Sequence, residues 1–401
     1  MHKALIIIKG ASFNNKITSA NNNKLKHIAS LLIDSNINVY ILTGVEYYDQ
    51  FRNDKIIVSG NYNNIYYFNA GLTIQPTSIF AKLIFRITFY LNIISSITSI
   101  KKKSSDVVII LDHNSLLFGF VIKLTSVIIQ SKIIFHIDEW FPAHRDASIR
   151  FRLNAIIFNY FCFWFSDGAI VISEYLKQKA LKANKSLNVY KLPSLANYKV
   201  DNSSIVDTTI NLHVIKFLYC VSLGYIEDIK KVVEAFSLAS SIVGVAKIEL
   251  RLIVNGSRKE MEYFRGELNR LPDLRIIVLS ELPEEVLLME YESADILIAP
   301  LNTDDRSNAR FPQKIAEYCA ASKPIITTAV GDIPLYFKDR ISAFLINEFS
   351  VHCLYEKMIE VFNDRSNLKN IGDAAYKIGL KNFDCKANRK SFLSFISGMF
   401  S

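Results

Sequence analysis

ILIAPLNTDDRSNARFPQKIAEYCAASKPIITTAVGDIPLYFKDRISAFLI, residues 296–346, decides the fold. It opens on a short apolar run, Ile296 to Ala299, closed by Pro300, which reads as a buried strand. A polar loop from Asn302 to Arg310 follows and carries Arg306 as well. Pro312 stands where a helix accepts proline, in a first turn whose N–H needs no partner. The spacing of Phe311, Ile315 and Cys319 predicts one apolar face of a helix that runs to Ser322. Lys323-Pro324 ends that helix, and a second apolar run, PIITT, leads into Gly331. Strand, loop, helix and strand form the unit of a parallel sheet, whose ligands sit at the carboxyl ends of its strands.

A loop and helix start of this kind can hold an anion. The first-turn amides are unpaired and the helix dipole adds partial positive charge. Arg306 and Arg310 supply guanidinium forks suited to phosphate. Glu317, further along the helix, can accept both hydroxyls of a ribose diol. These parts together suit a sugar nucleotide. The alternative is a solvated helix face on which Glu317 pairs with Lys314.

The segment KIAEYCAASKPIITTAVGDIPLYFKD, continued by SAFLI, resembles the donor-binding segment of GT-B glycosyltransferases of the kind grouped in glycosyltransferase family 4. RFPQKIAEY resembles the family variants with an Arg/Pro/Lys/Glu arrangement. The resemblance implies an α/β fold of two Rossmann-like doubly wound domains facing a cleft, and a retaining transfer from a nucleotide-sugar. It implies Glu317 as the ribose ligand; Arg310, Lys314, Arg306, Phe311, Gly224 and Gly331 complete the expected donor side. It implies no metal, and the lack of an Asp-x-Asp triplet agrees; no other cofactor is expected. The sequence departs from the family twice. Ala309 stands where a second Glu often touches the donor sugar. Gly224-Tyr225-Ile226-Glu227-Asp228 replaces the basic pair that helps bind diphosphate, which shifts that task to Arg306, Arg310, Lys314 or the helix start.

At 401 residues the chain is long for one core, so two domains are expected. Half of its residues are hydrophobic and 21% charged, as in a globular protein with large cores. Five scattered cysteines, without metal-ligand spacing, suggest a reducing compartment and no structural zinc. The opening MHKALIIIKG has too short an apolar run for a signal peptide. No unbroken apolar stretch of ~20 residues is present, so no spanning helix is expected. Residues 1–200 hold 23 Lys and Arg against 11 Asp and Glu, whereas residues 201–401 hold 24 against 27. A basic first half is drawn to anionic lipid or phosphorylated substrates. Nucleic acid is not expected as a partner, because no recognition motif accompanies the charge.

The boundaries read from the sequence are an acceptor-binding domain over 1–195, a polar linker over 196–212 and a nucleotide-sugar domain over 213–380. Residues 381–401 are expected as a helix crossing back to the first domain, as the resemblance implies. ALIII (Ala4 to Ile8) and VYILT (Val39 to Thr43) read as strands flanking a helical pattern, and short strands are expected at Ile56 to Val58 and Ile65 to Phe68. Gly10 closes the first strand on the acceptor side, without the spacing of a dinucleotide fingerprint. A helical pattern from Thr77 to Ile100 ends in Lys101 to Lys103 and fits either a membrane surface or a core helix whose basic end complements its dipole. DVVIIL ends in Asp112 and His113, the latter also on the acceptor side.

KIIFHIDEWFP delivers His136, Asp138 and Glu139 to the end of the next strand. Asp138, Glu139 and His136 are the catalytic candidates by the resemblance. His136 by alternation also fits a core position, and either acid also fits a place beside a helix cap. The expected function is transfer of a sugar to a glycan or polyprenyl-linked glycan acceptor in bacterial surface polysaccharide synthesis. The expected place is the cytoplasm, peripheral at the inner face of the plasma membrane. The rivals are a transferase-like binding subunit without chemistry and a sugar-nucleotide epimerase on the same fold.

Overall fold

Runs of consecutive apolar residues become buried parallel strands in this chain, and the segments between them become helices showing those strands one face. The computed structural model describes residues 2–9, 20–33, 35–43, 59–62, 65–70, 78–112, 115–140, 148–198, 214–271 and 273–400. The chain forms two compact units, one of Met1–Pro193 with Asn388–Ser401 and one of Ser194–Ala387.

The first unit begins with β1 (His2–Lys9), α1 (Ala20–Ser30), β2 (Ile37–Thr43), β3 (Ser59–Tyr62) and β4 (Ile65–Asn69). It continues through α2 (Ile79–Lys103), β5 (Ser104–Asp112), α3 (Leu116–Ile128) and β6 (Lys132–Ile137). α4 (Ile149–Phe165), β7 (Gly168–Val171), α5 (Glu174–Ala183) and β8 (Asn188–Lys191) complete its main body. The sheet order is β3-β4-β2-β1-β5-β6-β7-β8, parallel throughout except for the β3–β4 pair. Ala4 to Ile8 are fully or almost fully buried because β1 has a strand on either side. The expected strand at 56–58 lies outside the described residues.

Ser78 starts α2 where its Oγ accepts the Ala81 N–H at 3.1 Å. Phe89, Ile93, Ile97 and Ile100 form its buried stripe, packed towards β1, β5 and α3. By length and composition alone this helix is long and apolar enough to cross a membrane, although it offers no unbroken apolar stretch of the length expected for a span. Lys82 and Arg86 interrupt the apolar run in sequence without making the helix as a whole polar.

The second unit contains β9 (Ile215–Ser222), α6 (Ile226–Val243), β10 (Ile248–Asn255), α7 (Arg258–Leu268), β11 (Ile276–Leu279), α8 (Glu284–Ser293) and β12 (Ile296–Ala299). After it come α9 (Asp305–Ala309), α10 (Gln313–Ala320), β13 (Ile325–Thr328), α11 (Ile333–Tyr336) and β14 (Phe344–Ile346). α12 (Val351–Asn363), α13 (Leu368–Asn382) and α14 (Cys385–Ser397) close the chain. All six strands are parallel, in the order β11-β10-β9-β12-β13-β14. The order reverses between β9 and β12, and in the first unit between β1 and β5. Ligands of doubly wound sheets bind at such switch points, outside the carboxyl ends of the strands.

α14 changes unit near its start, since residues from Asn388 onward belong to the first. There the Tyr190 ring lies 5.1 Å from Phe395, its OH is 2.7 Å from Ser391 Oγ, and Lys3 Nζ sits 4.9 Å over Phe400. Of the expected linker, 199–212 lies outside the described residues. Just before it, Tyr198 is buried in the second unit with its OH donating to the Ala316 carbonyl at 2.8 Å.

Candidate active site

The switch point of the first unit is occupied by charge. β1 ends in Lys9 and β5 in Asp112, and parallel pairing sets the two side by side. Lys9 Nζ donates to Asp112 Oδ2 at 2.9 Å, and Lys24 Nζ, from α1, donates to the same oxygen at 3.1 Å. Lys24 also reaches Asp138, the first residue beyond β6. His136 Nδ1 lies 3.2 Å from Asp112 Oδ2, and its side chain is only 3% exposed. Burial alone would raise the pKa of Asp112, but Lys24 and Lys9 outweigh it and hold the carboxyl well below the usual range. Burial and then the Lys24 charge push His136 below its ordinary value. The imidazole is therefore neutral near pH 7, with its Nδ1–H directed to Asp112. For Asp138 burial is again opposed by Lys24, which wins and keeps the carboxylate ionised.

An Asp held ionised by an ammonium is a poor proton acceptor, so Asp138 suits stabilisation of positive charge better than general-base work. His136, expected as catalytic, is buried with its ring against Asp112. Glu139 follows in a partly exposed position beyond the strand. Gly10 and His113 lie outside the described residues. Lys9, Lys24 and Asp112 were not among the candidates. Lys9 and Asp112 were nevertheless visible as the polar residues that end two apolar runs.

In the second unit the carboxyl ends of β9 and β12 frame the corresponding position. β9 passes into a 3-10 turn, Leu223–Tyr225, where the Gly224 N–H meets Ser222 Oγ at 3.3 Å. β12 leads to the loop expected over 302–310, and here the structure differs. Asp304 caps a short helix, α9, by accepting the Ser307 N–H at 2.7 Å. Arg310 follows this helix and extends Nη1 to the Tyr225 OH at 3.4 Å, so the pair bridges the switch point. Arg306 bears electrostatically on Asp228 and Asp304, and Arg310 on Asp304. Gly331 has φ +58, and a Cβ there would stand 3.0 Å from the Asn308 carbonyl oxygen. Its N–H meets Asn308 Oδ1 at 3.2 Å, which ties the β13 loop to α9.

Glu317 and Lys314 do pair, but inside the unit rather than on a solvated face. Lys314 Nζ donates to Glu317 Oε2 at 3.1 Å and to the Tyr291 OH at 2.7 Å. The Tyr291 OH in turn stands 3.4 Å from the same Oε2. The Glu317 side chain is 9% exposed and that of Lys314 27%. Burial lowers the Lys314 pKa, but Glu317 and Cys220 outweigh it and raise it above the ordinary value. Among the described residues nothing donates to Glu317 Oε1. Lys314, expected among the phosphate ligands, has its ammonium taken by this network. Phe311, expected on the donor side, is 2% exposed, with its ring 5.0 Å from Phe383 and 5.4 Å from Tyr336. Ala309 is fully buried on α9.

Residues 204–378, nearly all of the second unit, match the family model described as glycosyl transferases group 1. No curated protein matches the chain by sequence. Solved structures resemble it over its whole length. Sucrose-phosphate synthase from Thermosynechococcus elongatus has a TM-score of 0.75 at 13% identity, with 99% of each chain covered. HepE of Anabaena in complex with UDP and glucose has a TM-score of 0.69 at 15% identity, covering 99% of this chain and 100% of that one. The pneumococcal O-GlcNAc transferase GtfA in complex with UDP and GlcNAc has a TM-score of 0.71 at 10% identity, with 99% of each covered. At such identities the likeness is one of fold, and it is the two-lobed α/β GT-B architecture.

Proposed function

We propose that this chain, a GT-B glycosyltransferase by its fold and by the family match of its second unit, is a retaining enzyme that moves a sugar from a nucleoside-diphosphate donor to a glycan or lipid-linked glycan acceptor. The carrying observation is that the matched unit presents Arg310 across its switch point, with Glu317 on the helix that follows. Ligands of such sheets bind at that edge. Departure of a nucleoside diphosphate leaves negative charge on phosphate oxygens and positive character on the sugar. Arg306 and Arg310 are the groups suited to the first, acting as preorganised donors in place of a metal. Glu317 Oε1 accepts a ribose hydroxyl while Oε2 stays with Lys314 and Tyr291. On the acceptor side Asp138, held ionised by Lys24, favours developing positive charge, and Glu139 is the neighbouring carboxylate for an incoming hydroxyl.

Surface polysaccharide synthesis is the setting this reading favours, with the chain at the cytoplasmic face of the plasma membrane. The free state of all five cysteines and the basic residues 1–200 support that placement. One observation favours a second reading, a binding subunit without chemistry: the buried Ala309 leaves no carboxylate where family members often hold the donor sugar.

Calorimetry with UDP, GDP and ADP, followed by incubation with radiolabelled sugar nucleotides and lipid extract, tests the proposal. Transfer with retained anomeric configuration, read by NMR of the product, is expected. Arg310→Ala is expected to weaken nucleoside diphosphate about ten- to a hundredfold and the bare nucleoside little, as loss of a charge-assisted contact implies. Nucleotide binding without turnover of any donor favours the subunit. No nucleotide binding at all overturns the enzyme.

A further inference from the structure

α2, α3 and α4 lie side by side, with α3 touching both neighbours, and each turns a second apolar stripe outward. The outward side chains include Ile84 and Leu91 on α2, Leu117 and Leu124 on α3, and Ile157 and Trp164 on α4. Each is more than half exposed. Among the described residues of the first unit, every exposed large hydrophobic side chain except Phe68 lies on these three helices. Exposed apolar side chains gathered on three neighbouring helices are the kind of surface that marks an interaction site. The three helices contain no Asp or Glu, while Lys82, Arg86, Lys101, Lys102, Lys103 and Arg152 stand among and around the apolar positions. Asp167, just beyond α4, is taken up by Lys123 and Lys132.

We propose that the outward face of α2, α3 and α4 is a docking surface for an anionic lipid bilayer, with the apolar stripes entering the headgroup–acyl boundary and the basic side chains meeting lipid phosphates. Charge selects the occupant. A face with cations and no carboxylates complements an anionic membrane, whereas a second copy of the same face would set cation against cation. α2 lies in the interface rather than across it, because its other stripe is packed on the sheet. This deepens the lipid-linked acceptor proposed above and rests on that reading. Attachment here has an apolar component beyond the electrostatic one, so it survives in part when salt screens the charges.

The full chain carrying Trp140→Phe keeps Trp164 as its one tryptophan and reporter. With vesicles of phosphatidylglycerol its emission is expected to shift to the blue and the protein to cosediment, with a fraction retained at high salt. Vesicles of phosphatidylcholine alone are expected to bind less. Ile84→Asp, Leu124→Asp and Ile157→Asp combined are expected to lower partitioning at least about a hundredfold. Lys101→Glu, Lys102→Glu and Lys103→Glu combined are expected to cost about fivefold per lysine and to flatten the salt dependence. The proposal is overturned if neither vesicle binds, or if the aspartate variant, unchanged in melting temperature, partitions like the parent. A concentration-dependent dimer with Trp164 shielded in the absence of lipid overturns it as well. Calorimetry with UDP, GDP and ADP on the same samples separates the two claims. Vesicle binding without binding of any of the three overturns the enzyme and keeps the surface, and nucleotide binding without vesicle binding does the reverse.

Discussion

Removing the carboxylate of Glu317 should damage both stability and nucleotide binding, and the two effects can be separated. Lys314 Nζ sits 3.1 Å from Glu317 Oε2 and 2.7 Å from the Tyr291 OH. Glu317→Ala therefore leaves an ammonium with only the Tyr291 hydroxyl and Cys220 beside it in a largely buried place. Loss of one member of a buried pair costs about 3–5 kcal/mol, and the 27% exposure of Lys314 with its remaining bond to Tyr291 brings this to about 2–3 kcal/mol. For a unit of this size that is a fall of roughly 5–10 °C in the melting transition. Glu317→Gln keeps the shape and one acceptor oxygen, so its stability loss should be at most half as large.

The ribose contact behaves differently. A carboxamide oxygen kept on Lys314 turns the NH₂ to the position of Oε1, where a ribose hydroxyl meets a donor instead of an anion. Affinity for uridine and UDP should then fall alike, by about tenfold or more. The assay is scanning calorimetry and titration calorimetry on parent, Glu317→Gln and Glu317→Ala. If Glu317→Gln binds uridine and UDP like the parent while Glu317→Ala melts early, the residue serves only the Lys314–Tyr291 network and the ribose assignment is refuted.

The His136 pKa is depressed, so between about pH 6.5 and its lower folded value the unfolded chain binds a proton that the folded chain does not. Stability should fall as pH drops through that window, and His136→Gln should flatten the slope in melts taken from pH 7.5 to 5. Asp112→Asn leaves Lys9 and Lys24 facing each other with Asp138 alone, at a cost of about 3 kcal/mol. A double-mutant cycle with Lys9→Met should return a coupling of at least about 1 kcal/mol by chemical denaturation, and simple additivity would refute the pair. Gly331→Ala sets a Cβ 3.0 Å from the Asn308 carbonyl at φ +58 and should cost about 1–3 kcal/mol in a thermal melt, with a wild-type melt counting against the tight turn.

Strands were legible because full burial on both faces needs unbroken apolar runs, and 4–8, 107–111 and 296–299 are such runs. Helix starts carry their own signal where a hydroxyl stands before an apolar pattern, as Ser173 does by accepting the Leu176 N–H. α9 escaped notice because five residues are too few to show a period, and only the Asp304 cap marks it. The Lys9–Lys24–Asp112–His136 cluster escaped for another reason. Its members stand up to 127 positions apart, and only the parallel register of β1 with β5 and of β5 with β6 joins their ends. Within RFPQKIAE the structure turns Phe311 into the core and Lys314 onto Tyr291 and Glu317, and sets Arg310 beside the Tyr225 hydroxyl. Sequence spacing gives the helix face but not the neighbour that claims each side chain.

The return of Asn388–Ser401 to the first unit makes the second an insertion within it, and this bears on biosynthesis. Domains leaving a ribosome generally fold in order from the N-terminus. Here the order inverts. Ser194–Ala387 is contiguous and has all its strands once Ile346 has emerged, with α12 and α13 soon after. The first unit, although translated earlier, lacks the partners of Tyr190 and Lys3 until Ser391, Phe395 and Phe400 have emerged. A nascent chain truncated before residue 388 would therefore carry a finished second unit beside a first one still missing its last helix.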